Sequence, residues 1–381
     1  MTNNQVLRQI VLGAGASAGY PLGNDLLKLI AGDNQNSLLG KITNYNLQLP
    51  QSLKPIDTKN SKIECIKDAS YFLEKIKNFA ENLNKSCATS IDFYTTRIAD
   101  QKMQIVAKSL IGAILNQFKT DLESSWYGNL LPLYFPEDII SKTANEKLQR
   151  IIELSKNIRI VTFNYDLSLE KFLFEFLKNN VFFHGEAIEL NTAKETIFRT
   201  INHVYGSIDD PFNCDFDLIE DANCIKFDEN NFYAIDNGKV LIDAYSNQEK
   251  YATNINLIEN ERGGGNCKLI ECSYLYVLGF GFDPINIKRI GMHPEKWGID
   301  SNEGGCYVTN FGDNKKVERF LLNNLTKRLD QEYYIPIISK NTISEALKSD
   351  FSLMEIGEYP EYISRTVNEA SPYFFLKKNQ F

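Results

Sequence analysis

"QIVLGAGAS", residues 9–17, runs a short apolar segment straight into a turn made of glycine, alanine and serine. "NDLLKLI", residues 24–30, follows with Leu26, Leu27 and Ile30 at helical spacing. A buried strand, a tight turn and a helix make the opening of a βα unit. Within it, Gly13, Gly15 and Ala18 fit G-x-G-x-x-A, a pattern that in this context lets a backbone approach a pyrophosphate closely. The helix start behind such a loop supplies N–H donors and partial positive charge. Gly13, Ala14, Gly15, Ala16 and Ser17 are therefore candidate cofactor-binding residues, and a plain tight turn of an α/β protein is the alternative. About 20 residues on, where a dehydrogenase carries an acidic residue at a strand end for the ribose, Asp33 has the right distance without a strand before it. That disfavours ordinary hydride transfer.

Working outward, residues 61–156 change character. Ile66, Leu73, Ile76, Phe79, Ala80 and Leu83, then Ile98, Ile105, Val106, Leu110, Ala113 and Ile114, recur at helical intervals. A helix with a capping box of Thr143 and Glu146 closes this block. The α/β pattern resumes in "IRIVTFNYD" (158–166), a β-rich run, and in the amphipathic "LSLEKFLFEFLK" that Asp166 can cap. "RTINHVYGSI", "YLYVLGFGF", "GCYVTNF" and "YYIPII" are later strand candidates, the last two separated by the helical "NKKVERFLLNNLTKRL". The alternation predicts an α/β fold, a Rossmann-like, doubly wound and mainly parallel sheet with a large helical insertion. The expected division is 1–60, first part of the Rossmann-like domain; 61–156, helical insertion; 157–210, the domain continued; 211–268, a small polar subdomain or flap around "ERGGGN"; 269–340, the domain completed; and 341–381, a C-terminal extension.

Composition narrows the function classes. The 381 residues, 43% hydrophobic, can bury a sizeable core. With 41 basic against 49 acidic residues the net charge is −8, which offers no general attraction for nucleic acid or an anionic membrane. The longest uncharged apolar run, "CSYLYVLGFGF", has roughly half of the ~20 residues a membrane helix needs. The start of the chain lacks a basic leader and reads as mature sequence. Seven scattered cysteines with no CxxC pair are what reduced thiols in a cytoplasm would show.

Four separated pieces, "GAGASAGYPLG" (13–23), "TFNYD" (162–166), "HVYGSID" (203–209) and "LGFGFDPINI" (278–287), in this order resemble the sirtuin-like fold. There a Gly-Ala-Gly loop, an Asn-bearing strand end, a His-Gly segment and a later Gly-rich turn surround NAD. The resemblance implies that Asn164 orients the ribose and the attacking water, and an Asx turn is the plain alternative. It implies ribose contacts for Asp166, or a simple helix cap, and for Asn310 at the end of "CYVTN". Gly279 and Gly281 would complete the cradle, with Asp283 and Asn286 bonding the ribose or capping a helix. The family places its catalytic histidine directly before the glycine, whereas here Tyr205 precedes Gly206 and the histidine is His203. Tyrosine, with a pKa near ~10, is a poor base at neutral pH; imidazole near ~6.5 is well placed. Two residues apart on a strand, His203 and Tyr205 would face one pocket about 6–7 Å apart. A purely structural histidine is the alternative. His184 in "FFHGE" is the rival by motif, and His293 has no evident partner.

The protein deacylases of that family carry a zinc ribbon of paired CxxC motifs and continue the first loop into Pro-Asp-Phe-Arg. This chain has no such ribbon and reads Pro21-Leu22-Gly23-Asn24. The remaining resemblance is to sirtuin-like NAD-hydrolysing effectors of bacterial antiphage defence. It implies NAD as substrate, no metal, cytoplasmic action, a homo-oligomer and a separate activating protein such as a HerA-like ring ATPase or a short Argonaute. An NAD- or ADP-ribose-binding regulatory subunit and an ADP-ribosyltransferase are the competing functions.

Overall fold

The structure is a computed structural model that describes residues 7–17, 20–32, 34–50, 53, 63–88, 90–95, 97–118, 126–136, 139, 142–179, 187–214, 216, 234–256, 267–297, 305–329, 332–334 and 336–350. Asp33, His184 and "ERGGGN" lie outside these residues, as do residues 351–381 of the expected C-terminal extension.

Its centre is a sheet of six strands, all parallel: β1 (Arg8–Leu12), β2 (Ile158–Thr162), β3 (Ile201–His203), β4 (Tyr274–Leu278), β5 (Gly305–Thr309) and, after the hairpin of β6 (Lys327–Leu329) and β7 (Glu332–Tyr334), β8 (Ile337–Ser339). The spatial order is β3-β2-β1-β4-β5-β8. Setting the hairpin aside, this is the 3-2-1-4-5-6 order of a Rossmann-type sheet, whose topological switch lies between β1 and β4. The strands are apolar on both faces because helices cover both. Ile10 and Leu12 of β1, Ile160 of β2 and Leu278 of β4 face one side, and Val11, Val161 and Val277 face the other.

The expected helical insertion is divided between those two faces. On the Val11 side α1 (Gly23–Ala31) and α2 (Leu38–Asn44) are joined by α3 (Ala69–Lys85), α4 (Ile91–Thr95) and α5 (Gln101–Leu115). On the Ile10 side lie a short helical turn, Trp126–Leu130, then α6 (Leu131–Tyr134), α7 (Ala144–Ser155), α8 (Ser168–Asn179) and α9 (Ala187–Phe198). The capping box at α7 forms as predicted: Thr143 N donates to Glu146 at 2.9 Å and Glu146 N to Thr143 Oγ1 at 3.5 Å.

The stretch 237–254 of the expected flap is helical and built into the Val11 side, while Cys214 and Phe216 join the Ile10-side core. That stretch forms α10 (Asn237–Ser246) and α11 (Gln248–Asn254), which pack on α5. Its β-branched residues suggest short strands, yet Val240, Leu241, Ala244 and Tyr245 are buried at helical spacing and Asp236 caps the start. Gly112 of α5 lets Tyr251 of α11 in, since a Cβ there would lie 2.1 Å from that ring. α12 (Pro284–Ile290) and α13 (Lys315–Asn324) add Ile290, Val317 and Leu321 to the Val11-side core. The predicted strand "YYIPII" is divided between β7 in the hairpin and β8 in the main sheet.

Candidate functional site

Both glycine-rich loops leave the carboxyl ends of adjacent strands at the switch, where open α/β sheets bind ligands. They lie against each other. Gly13 N donates to Leu278 O at 2.9 Å and Gly15 N to Gly279 O at 3.1 Å. A Cβ on Gly13 would fall 2.3 Å from Gly279 O, and one on Gly279, whose φ is +61°, 2.6 Å from Ala16 N. Thr309 Oγ1 accepts from Gly279 N at 2.9 Å, fixing the turn from β5. Much of the bareness that suggested a phosphate cradle is thus occupied by the protein's own backbone. The outward side of the loop remains: Ala14 and Gly15 are exposed, and a Cβ on Gly281 would meet nothing within 4 Å. Residues 14–16 form a single 3₁₀ turn, and α1 starts at Gly23 instead of directly behind the loop. Asp25 accepts from Leu22 N at 3.2 Å, so one donor of that helix start is already used.

One strand over, at the carboxyl ends of β2 and β3, the polar residues gather. Asn164 lies two residues past β2 and is 8% exposed. Its backbone N–H donates to Thr162 Oγ1 at 3.1 Å and its carbonyl meets His203 Nδ1 at 2.7 Å, while its side-chain amide bonds to none of the described residues. Asp166 reaches across to the first loop, accepting from Ser17 Oγ at 2.5 Å and from Ser168 N at 3.1 Å. Burial, opposed by those hydrogen bonds, lifts its carboxyl above the ordinary range. The Asp166 contact with Ser168 N is the helix-start role expected of it. The Ser17 contact additionally ties β2 to the glycine loop.

His203 is committed at both ring nitrogens, Nδ1 to the Asn164 carbonyl and Nε2 to Glu170 Oε1, each at 2.7 Å. The side chains of His203 and Glu170 are 8% and 2% exposed. Burial alone would lower the histidine pKa. The Glu170 charge and hydrogen bond, the Asn164 carbonyl and the Asp166 charge outweigh it, and the imidazole lies above its ordinary value. With both nitrogens engaged, His203 as placed has no nitrogen free to take a proton from a ribose hydroxyl.

Tyr205 does not share its surroundings. Strand β3 ends at His203, so the two-residue alternation stops before Tyr205. The tyrosine ring stacks on Tyr165 at 5.8 Å, meets Phe163 edge-on at 5.6 Å and lies under Arg289 at 5.2 Å. Its hydroxyl donates to Asn286 Oδ1. This brings Asn286 of α12 beside the loop after β3, joining two of the four motifs. Asp283 caps α12, accepting from Ile285 N at 2.8 Å and Asn286 N at 3.4 Å. Asn310 is buried and brackets its own loop, donating to Asn314 O at 3.1 Å and accepting from Asn314 N at 3.2 Å. Asp283 acts as a helix cap and Asn310 closes the loop after β5. The glycine of the His-Gly segment also has a local reason: Gly206 has φ +68°, and a Cβ there would lie 1.8 Å from Asn254 O at the end of α11.

Three participants escape the sequence reading. Trp126 covers the glycine loop, its Nε1–H donating to Ala16 O at 2.9 Å, and Tyr127 beside it shares a 2.6 Å hydrogen bond with Ser168. Nothing local in "SSWYGN" announces this. Glu170 did leave a signal, because with Leu173 and Leu177 it falls on one i, i+3, i+7 stripe, and both leucines are fully buried. A charge inside an apolar stripe implies a buried partner. His293, the remaining histidine, precedes a short 3₁₀ turn, Pro294–Lys296. Among the described residues no group of three or more His, Cys, Asp or Glu side chains could hold a metal, and no helix is long and apolar enough to cross a membrane. Compared with protein-family models, curated proteins and solved structures, the chain matches none.

Proposed function

We propose that this chain is an NAD glycohydrolase that cleaves NAD to nicotinamide and ADP-ribose. The observation that carries the reading is the side-chain amide of Asn164. Among the described residues it has no hydrogen-bond partner, and it lies in a buried polar site two residues past β2 and one strand from the switch point. An amide both donates and accepts, which suits a group that must hold a ribose hydroxyl and a water together. The scissile bond of NAD makes modest demands, because the pyridinium departs as neutral nicotinamide and needs no general acid. The protein must orient the ribose, present a water and tolerate positive charge developing on the sugar. Asp166, two residues beyond Asn164 and tied to the glycine loop through Ser17, is the further group available to the ribose. The outward sides of Ala14, Gly15 and Gly281 leave backbone room for a pyrophosphate.

In the cell the reading is of a cytoplasmic effector that depletes NAD during phage infection. Unrestrained NAD cleavage would kill its host, so an off state is required. A homo-oligomer held in check by a separate protein, such as a HerA-like ring ATPase or a short Argonaute, would meet that need.

One observation favours a second reading, a subunit that binds NAD or ADP-ribose without turning it over: both nitrogens of His203 are committed. Calorimetry with NAD, followed by chromatography of the same samples for nicotinamide and ADP-ribose, separates the two. Binding with both products supports the hydrolase, and binding without products in every partner combination supports the regulatory subunit. ADP-ribose on a macromolecule would indicate transfer.

A further inference from the structure

Glu170 is a buried carboxylate that neither the four-motif resemblance nor the proposed chemistry uses. Its Oε1 lies 2.7 Å from His203 Nε2, and its Oε2 is buried without a hydrogen-bond partner among the described residues. The opposite ring nitrogen points at a backbone carbonyl, which can only accept, so Nδ1 carries a proton. A carboxylate on Nε2 asks for a proton there too. The ring therefore spans from a helix to the residue whose amide is presented to the ligand. Glu170 stands in the first turn of α8, where the helix dipole favours a negative charge, so its place is set independently of the histidine.

We propose that Glu170 and His203 are positioning residues: the carboxylate holds the imidazole as a double donor, and the imidazole holds the Asn164 carbonyl so that the Asn164 amide faces the ribose. The inference rests on the NAD reading for its ligand and on the ligand-free protein for its geometry. Charged groups around the ring are Glu170 from α8 and Asp166 from the loop after β2; Cys267 approaches only the main-chain carbonyl of His203, its Sγ 3.6 Å away. In this arrangement His203 takes no proton during the reaction. It acts through Asn164.

Two measurements test this. In the ligand-free protein, ¹⁵N-labelled histidine NMR should find both ring nitrogens of His203 bearing protons at pH 7.5, and Glu170→Gln should lose that state. A neutral single tautomer in the wild type overturns the proposal, and this reading stands even where Glu170→Gln fails to fold. The second is a double-variant cycle on NAD affinity with Asn164→Ala and Glu170→Gln. A residue acting through Asn164 loses its effect once that amide is gone, so Glu170→Gln should weaken NAD binding in the wild type and leave it unchanged in the Asn164→Ala background. Equal weakening in both backgrounds overturns the positioning role. Absence of NAD binding by the wild type would refute the NAD reading instead, while the ring signals still decide whether the pair exists.

Discussion

The carboxyl edge of the sheet has two adjacent stretches that solve opposite problems. At the β1/β4 seam, Gly13 and Gly279 remove side chains so that two backbones can touch, and the hydrogen bonds that join the two loops to each other are between main-chain groups. At the β2/β3 edge the backbone is ordinary and the side chains do the joining: Ser17 to Asp166, His203 to Glu170 and to the Asn164 carbonyl. The contrast shows that a glycine-rich loop need not be bare for its ligand. The seam sets the relative position of the loops, and the neighbouring edge carries the groups able to do chemistry.

Breaking the charged edge should cost most. Glu170→Ala leaves the His203 ring buried beside a lost counter-charge and should destabilise the fold by about 3–5 kcal/mol, measured by urea unfolding at pH 7. Next comes the seam, where Gly13 and Gly281 make a matched pair. Gly13→Ala drives a methyl into the Gly279 backbone and should cost about 1–3 kcal/mol, whereas Gly281→Ala meets open space and should stay within about 0.5 kcal/mol while weakening NAD binding. Equal costs for the two would erase the distinction between the inward and outward sides of the loops.

Acidity sharpens the same comparison. Because the folded-state pKa of His203 is raised, its contribution to stability is fully present below the unfolded value of about 6.5 and is lost as pH rises through the folded value. Urea midpoints should therefore fall above neutrality in the wild type, and His203→Gln should flatten that slope. A slope unchanged by the substitution would place the titration elsewhere. A modest effect is expected at the lid of the seam, where Trp126→Phe removes one hydrogen bond to Ala16 O and should cost about 1 kcal/mol.

The sheet was legible because its strands are apolar on both faces and end in turn residues; β1, β2, β4 and β5 fall where that pattern puts them. The Thr143 cap was legible because a capping box is local. What the pattern could not carry was side-specific packing. Nothing in the periodicity of residues 61–156 tells which face each helix covers, and the β-branched Val240 and Ile242 disguised a helix whose burial is set by α5. In the candidate site, the motif residues Asn164, Asp166 and His203 were named and do gather at one edge. The use of each nitrogen and oxygen was invisible, since Trp126 approaches from a distant element and Glu170, only four residues past Asp166, meets a histidine 33 residues away in the chain. The expected pairing of His203 with Tyr205 assumed a strand two residues longer than β3.

The most direct test compares Asn164→Ala with the wild type for both NAD cleavage and urea unfolding. Since the amide has no partner among the described residues, removing it should leave stability within about 1 kcal/mol while nicotinamide release falls by about 100-fold or more, the scale for losing a group that acts at the transition state. Undiminished NAD cleavage by a stably folded Asn164→Ala protein would contradict the account.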